Sequence, residues 1–184
     1  MKKIVLTFGL ISGGILAAMM FATLPFMDQI GFDNGQLIGY TTMVLAFLLI
    51  FFGIRSYRET IGNGYITFGR GFKVGILITL IACLCYTVAW EILYFNFIPD
   101  FGDKYTQYLI EKSRASGASP EEIANEVAKM ERFKEIFKNP LYNFLIVFFI
   151  EPLPVGLIMT VLSALILKKR PEAVPQNQEL VSNP

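Results

Sequence analysis

The chain has 184 residues, of which 54% are hydrophobic and only 17% charged, with a mean hydropathy of +0.52. A soluble domain carries about 25% charged residues, so the composition speaks against that class. The net charge of +1 is too close to neutral to point to nucleic acid or to a polybasic lipid-binding tail.

No histidine is present, and Cys83 and Cys85 are the only cysteines. Two residues apart on an apolar helix, they point to different sides, cannot bridge each other, and leave a zinc site without enough ligands. They read as small buried hydrophobes. No cofactor or metal is expected.

Charges cluster in a few segments, and the runs between them are long enough to cross a bilayer, which takes about 20 apolar residues. Met1-Lys2-Lys3 opens the first run, residues 4–26. It is longer than a signal-peptide core, and Ala17-Ala18-Met19-Met20 is a poor cleavage site, so a retained membrane helix is expected. Gly9, Gly13 and Ala17 recur every fourth residue and would let a second helix approach closely. Pro25 and the polar residues 28–36 end this helix in a turn, and a second helix is expected over 37–54.

Next come Arg55, Arg58 and Glu59, then Gly62-Asn63-Gly64 as a turn. Phe68-Gly69-Arg70-Gly71-Phe72-Lys73 follows, without the Gly-Lys-Ser/Thr that would close a phosphate loop. Its aromatic and basic residues suit the membrane interface. A third helix is expected over 74–97 and a fourth over 142–167, stopped by Lys168-Lys169-Arg170-Pro171. The polar tail 171–184 reads as disordered, so residues 1–170 form a single membrane domain.

Between the third and fourth runs lies a different kind of segment. Tyr105, Tyr108 and Leu109 stand at helical spacing within 103–116. Ser119-Pro120-Glu121-Glu122 is a helix start, with serine at the N-cap, proline at N1 and glutamate at N3. The helix it opens carries Ile123, Val127, Met130 and Phe137 on one stripe and ends at Asn139-Pro140. The fold expected is therefore an all-α membrane protein of four transmembrane helices. An extramembrane amphipathic helical hairpin, about 103–139, joins helices three and four. Its apolar face lies on the membrane surface or the bundle ends, or else docks a partner through Val127, Met130 and Phe137.

Lys2, Lys3, Arg55, Arg58, Arg70, Lys73, Lys168, Lys169 and Arg170 all fall on one side of a four-helix arrangement, and the first loop opposite has no basic residue. Both chain ends are then expected in the cytoplasm, in a multi-pass membrane protein. The hairpin's own lysines and arginines oppose this, although its acids bring it close to neutral.

Thr67-Phe68-Gly69-Arg70-Gly71-Phe72-Lys73-Val74-Gly75, Asn139-Pro140-Leu141, Glu151-Pro152-Leu153-Pro154-Val155-Gly156 and Ser163-Ala164-Leu165-Ile166-Leu167-Lys168-Lys169 together resemble a bacterial membrane family, domain of unknown function 4199. The resemblance covers most of the chain. It implies a small multi-helix inner-membrane protein and brings no assigned activity or catalytic residue.

Glu91 in the third run and Glu151 in the fourth have no lysine or arginine in their segments. With midpoints near residues 86 and 155, both carboxyls fall roughly 6–7 Å toward the outer face at 1.5 Å per residue. Thr41 and Thr42 fall near the same level. An ionised carboxylate there costs at least ~2.5 kcal/mol, so at least one is expected to be protonated, and the two would titrate as a coupled pair if they touch. The structural alternative has Glu151 donating to a carbonyl freed by Pro152 and Pro154, with Glu91 bonding to threonine, Tyr94 or Asn96 or leaning toward the outer interface, and a third has the carboxylates holding a partner's helix.

Two functions are thus in view. One is a non-enzymatic accessory or scaffold protein that binds a membrane-protein partner or a second copy of itself within the lipid bilayer. The other is a small proton- or cation-coupled transporter or channel using Glu91 and Glu151. An intramembrane enzyme is disfavoured, because no nucleophile has a companion base.

Overall fold

The computed structural model describes residues 1–169; Arg170 and the polar tail expected over 171–184 lie outside the described residues. Among the described residues the fold is all-helical: α1 Lys2–Thr23, α2 Met27–Thr60, α3 Phe68–Asn96, α4 Phe101–Ala115, α5 Pro120–Phe137, α6 Pro140–Ile150 and α7 Pro152–Leu167. Three stretches are long and apolar enough to cross a membrane: Lys2–Thr60, Phe68–Asn96 and Pro140–Leu167.

Local chemistry sets most of the boundaries. A 3-10 turn, Leu24–Phe26, contains Pro25 and separates α1 from α2. Gly31 interrupts the first part of α2 with φ +71°, a conformation that L side chains rarely adopt. Helical structure nevertheless resumes directly after it, so residues 32–36, expected in the turn, are helical. The Gly62-Asn63-Gly64 turn forms with φ +48° at Asn63 and +86° at Gly64. The Thr67 side chain caps α3 by accepting from the Arg70 N–H, and the helix begins at Phe68, six residues ahead of the expected 74.

The expected capping box is present: Ser119 Oγ accepts from the Glu122 N–H, and Glu122 accepts from the Ser119 N–H. Asn139 caps α6 by accepting from the N–H groups of Leu141 and Tyr142. The fourth apolar run is broken in two at Glu151 (φ −99°, ψ −77°), because Pro152 and Pro154 cannot supply the N–H groups that would continue α6.

Small residues fix how the long helices meet. Gly53 on α2 lies against Phe8 on α1, and the Ser12 hydroxyl donates to the Ala46 carbonyl at 2.9 Å, so α1 and α2 run antiparallel. A Cβ at Gly9 would stand 2.8 Å from that of Ile81, and one at Gly13 would stand 2.5 Å from that of Cys85. The glycine face of α1 therefore packs on α3, and the two run parallel. Gly71 faces Ala164, Gly75 faces Thr160 and Gly156 faces Thr79, so α7 runs antiparallel to α3 along a seam of small residues. An isolated backbone bridge from Ile66 to Lys169 ties the α2–α3 connection to the end of α7.

The polarity of this bundle is inverted relative to a soluble one. Ser12, Thr79, Thr87, Asn143 and Thr160 are fully buried, whereas Leu45 is 60% exposed, Ile158 60% and Ile166 70%. Water would penalise such an apolar exterior, and lipid would not.

Candidate functional site

Polar side chains inside the bundle meet along one face of α3. Thr79 donates to the Gly156 carbonyl at 3.3 Å, and its hydroxyl lies 2.9 Å from that of Thr160. Seven residues further, the Tyr86 hydroxyl donates to Glu151 Oε2 at 2.7 Å. Four residues beyond that, Trp90 Nε1 donates to Asn143 Oδ1 at 2.9 Å. Asn143, wholly buried, in turn donates through Nδ2 to the Phe137 carbonyl at 3.3 Å, joining the end of α5 to α6 and α3.

Only one of the two carboxylates belongs to this network. Glu151 sits at the junction of α6 and α7 and is bound by Tyr86, a partner supplied by α3 rather than by the carbonyls of its own broken helix. Glu91 has no such partner: its Oε1 is buried and forms no hydrogen bond among the described residues. It stands seven residues after Leu84, three after Val88 and four before Phe95, all three exposed, so it lies on the outward stripe of α3.

The common depth expected for Glu91 and Glu151 is not found. Tyr86, not Glu91, meets Glu151, and Trp90 beside Glu91 meets Asn143, eight residues before Glu151. The cause is the early start of α3, which moves its middle to about residue 82. Glu91 then stands about 13 Å from that middle, amid Trp90, Tyr94 and Phe95, aromatic types that gather at the interface.

Thr41 is exposed, and Thr42, half-buried, donates to the Ile38 carbonyl of its own helix at 2.8 Å, so neither reaches a carboxylate. Val127 and Met130 are half-buried on α5. Phe137 is buried, its ring 4.2 Å from that of Phe133 and edge-on to Tyr94 of α3 at 6.1 Å. It anchors α5 to the bundle and is not part of an open docking face. Exposed Phe133 and Ile136 are the apolar side chains that α5 presents outward.

α4 is held by the segment expected to be a plain turn. Phe32 packs against Phe101, Tyr105 and Tyr108 at 5.7, 5.3 and 5.0 Å between ring centroids. Asp33 accepts from Lys112 at 2.7 Å and from Tyr108 at 2.5 Å, and Lys104 lies 3.5 Å from Asp28. The hydrogen bond from Lys112, and then that from Tyr108, hold the Asp33 carboxyl below its usual range. The Lys134 hydrogen bond, 2.7 Å long, does the same to Asp103.

One hollow, about 310 Å³, lies between the end of α3 and α4–α5, beside Tyr94, Asp103, Lys134 and Lys138. Its lysines are already bound by Asp103, Glu131 and Glu135, so it offers little uncompensated charge. Among the described residues no three of cysteine, aspartate or glutamate converge.

The network residues Tyr86, Trp90 and Asn143 were not singled out by sequence as a set. The available clue was chemical: each is a hydrogen-bonding side chain inside an apolar run, where a partner on another helix is the economical solution.

The family model described as a protein of unknown function, domain of unknown function 4199, matches residues 7–169, and the chain belongs to that family. No curated protein and no solved structure matches the chain.

Proposed function

We propose that this chain is an integral membrane protein that crosses the bilayer four times, as α1, α2, α3 and the broken α6–α7 unit, and that it serves as a non-enzymatic accessory or scaffold protein. In this reading α4 and α5 form an extramembrane hairpin on the outer side of a bacterial inner membrane, with both termini cytoplasmic. The basic residues at the end where α2 stops and α3 starts support that orientation. A protease site placed in the α4–α5 connection should be cut in intact cells; protection there would reverse the topology.

The observation that carries the scaffold reading is the way interior polar groups are used. Thr79 with Thr160, Tyr86 with Glu151 and Trp90 with Asn143 close on each other between helices. Such pairs fix helix positions and engage at least one polar atom of each side chain, whereas a conducting path needs groups free to exchange partners. Purified protein in proteoliposomes should show no proton-coupled flux above empty vesicles. Flux that Glu151→Gln or Glu91→Gln abolishes, in variants that keep their helicity, would overturn the scaffold reading.

A second reading, a proton- or cation-coupled transporter or channel, has one observation in its favour: Glu91 Oε1 is buried without a partner among the described residues. A carboxyl in that condition is the group on which such an activity would depend, and Glu91→Gln is the variant that separates the two readings.

A further inference from the structure

The net charge of +1 conceals a segregation of charge between the two ends of the bundle. At the α4–α5 end, Lys104, Lys112, Lys134 and Lys138 each lie within ion-pair distance of an aspartate or glutamate. Although Arg114, Lys129 and Arg132 make no ion pair among the described residues, these seven cations share that end with ten acids: Asp28, Asp33 and the eight aspartates and glutamates of residues 100–135. The opposite end is different. There α1 and α2 supply Lys2, Lys3 and Arg55, and α3 supplies Arg70 and Lys73. Lys168 and Lys169 follow α7, brought beside the α2–α3 connection by the Ile66–Lys169 bridge. All seven are exposed, and among the described residues none has a carboxylate within ion-pair distance. Among the described residues the one carboxylate of that end, Glu59, is taken by Arg58 at 2.6 Å.

These cations border apolar surface. Leu165 is 43% and Ile166 70% exposed, three and two residues before Lys168, and Phe68 is 40% exposed two residues before Arg70. Tyr65 lies under the Lys169 ammonium at 5.7 Å from the ring centroid. A small anion would satisfy the charges alone. A molecule that joins an anionic head to hydrocarbon chains satisfies the charges and the adjoining apolar faces together.

We propose that this end of the bundle selects anionic phospholipid, whose phosphates sit among Arg55, Arg70, Lys73, Lys168 and Lys169 while its chains lie along the faces that carry Leu165 and Ile166. The inference rests on the membrane-spanning reading and not on which side of the membrane the end occupies.

The test uses the purified full chain reconstituted in phosphatidylcholine bilayers with trace spin-labelled phosphatidylglycerol or phosphatidylcholine. The fraction of motionally restricted label gives the association of each lipid. At about 0.1 M salt phosphatidylglycerol should be favoured by about three- to tenfold, and roughly 1 M salt should bring the two lipids close to equality. Replacing Arg55, Arg70, Lys73, Lys168 and Lys169 by glutamine should have the same effect. If that variant loses helicity, Lys168→Gln/Lys169→Gln takes its place and should lower the ratio by about half or more.

Equal association of both lipids with the wild-type chain would overturn the proposal, as would an unchanged ratio in a folded variant. Loss of the preference in sodium phosphate but not in chloride of equal ionic strength would also overturn it, because the site would then be one for free phosphate. Restricted phosphatidylcholine in every sample reports insertion itself. Its absence would defeat the membrane-spanning reading, whereas equal association would defeat only the lipid selection.

Discussion

The closest approach along the α3–α7 seam gives a quantitative prediction. A Cβ at Gly156 would collide with Thr79 Cγ2 and stand 3.2 Å from Phe47 Cζ, two side chains that are themselves fully buried. Gly156→Ala must therefore push α7 away from α2 and α3, and overpacking of this kind costs about 1–3 kcal/mol. The displacement also stretches the Thr79 bonds to Gly156 and Thr160, worth about 0.6 kcal/mol each in membrane proteins. Against this, alanine is favoured over glycine in a helix by about 1 kcal/mol. Gly14→Ala isolates that gain, because its Cβ would meet nothing within 4 Å.

The difference between the two variants cancels the propensity and leaves about 2–4 kcal/mol. On the scaling of soluble domains of this size, that separates the two melting temperatures by roughly 4–16 °C. Thermal unfolding followed by circular dichroism in one detergent measures it, with Gly156→Ala melting below wild type and Gly14→Ala at or above it. Equal melting temperatures for the two alanine variants would refute the packing argument, and with it the register assigned to α3 against α7.

The Tyr86–Glu151 bond makes a second prediction. Tyr86→Phe leaves a buried carboxyl without its donor and should cost about 1–2 kcal/mol. Glu151→Gln retains an oxygen able to accept from Tyr86 and should cost less, whereas Glu151→Leu removes the acceptor, and in that background Tyr86→Phe should cost less than it does alone; additive costs of Tyr86→Phe and Glu151→Leu would show that the bond does not form. A third concerns acid. Asp33 and Asp103 are held low by Lys112 and Lys134 in the folded chain, so their contribution is present above the ordinary carboxylate range and is lost as pH falls through the lower folded values. Spin labels at Gln36→Cys and Gln107→Cys, with Cys83 and Cys85 replaced by alanine, should give a narrow distance distribution at neutral pH. That distribution should broaden below about pH 4 and, in Lys112→Met, broaden already at neutral pH; no change in either case would remove the clamp.

What the sequence made legible was local. The capping box at Ser119 and Glu122 and the turn at Gly62-Asn63-Gly64 depend on residues within a few positions of each other, and each formed as expected, whereas the fourth helix, expected unbroken over 142–167, is divided at Glu151. The close approach offered by Gly9 and Gly13 was legible too, but its recipient on α3 was not. Hydropathy marks which residues sit in hydrocarbon, not where a hydrogen-bonded helix starts. With Thr67 as its cap, α3 continues through Phe68-Gly69-Arg70 into the interfacial region, and counting from 74 therefore misplaced its middle. Phe137 shows the same limit: periodicity placed it on an apolar stripe with Val127 and Met130, and only the fold shows that Tyr94 and Phe133 cover it.

Glu91 and Glu151 look alike in sequence, each a lone acid in an apolar run, yet the fold treats them in opposite ways. Glu151 occupies the point where two prolines force the chain to break, and that break places its carboxyl against the α3 face that carries Tyr86. Its role follows from that position: it holds α3 to the α6–α7 junction. Glu91 is on an unbroken helix, on the stripe shared with Leu84, Val88 and Phe95, where among the described residues no neighbouring helix offers a donor to its buried oxygen. A buried acceptor without a partner costs about 1–3 kcal/mol, and nothing in the packing of α3 requires it, since leucine or phenylalanine would suit the same stripe. The functional question that the sequence posed for a pair of carboxylates therefore contracts to Glu91 alone.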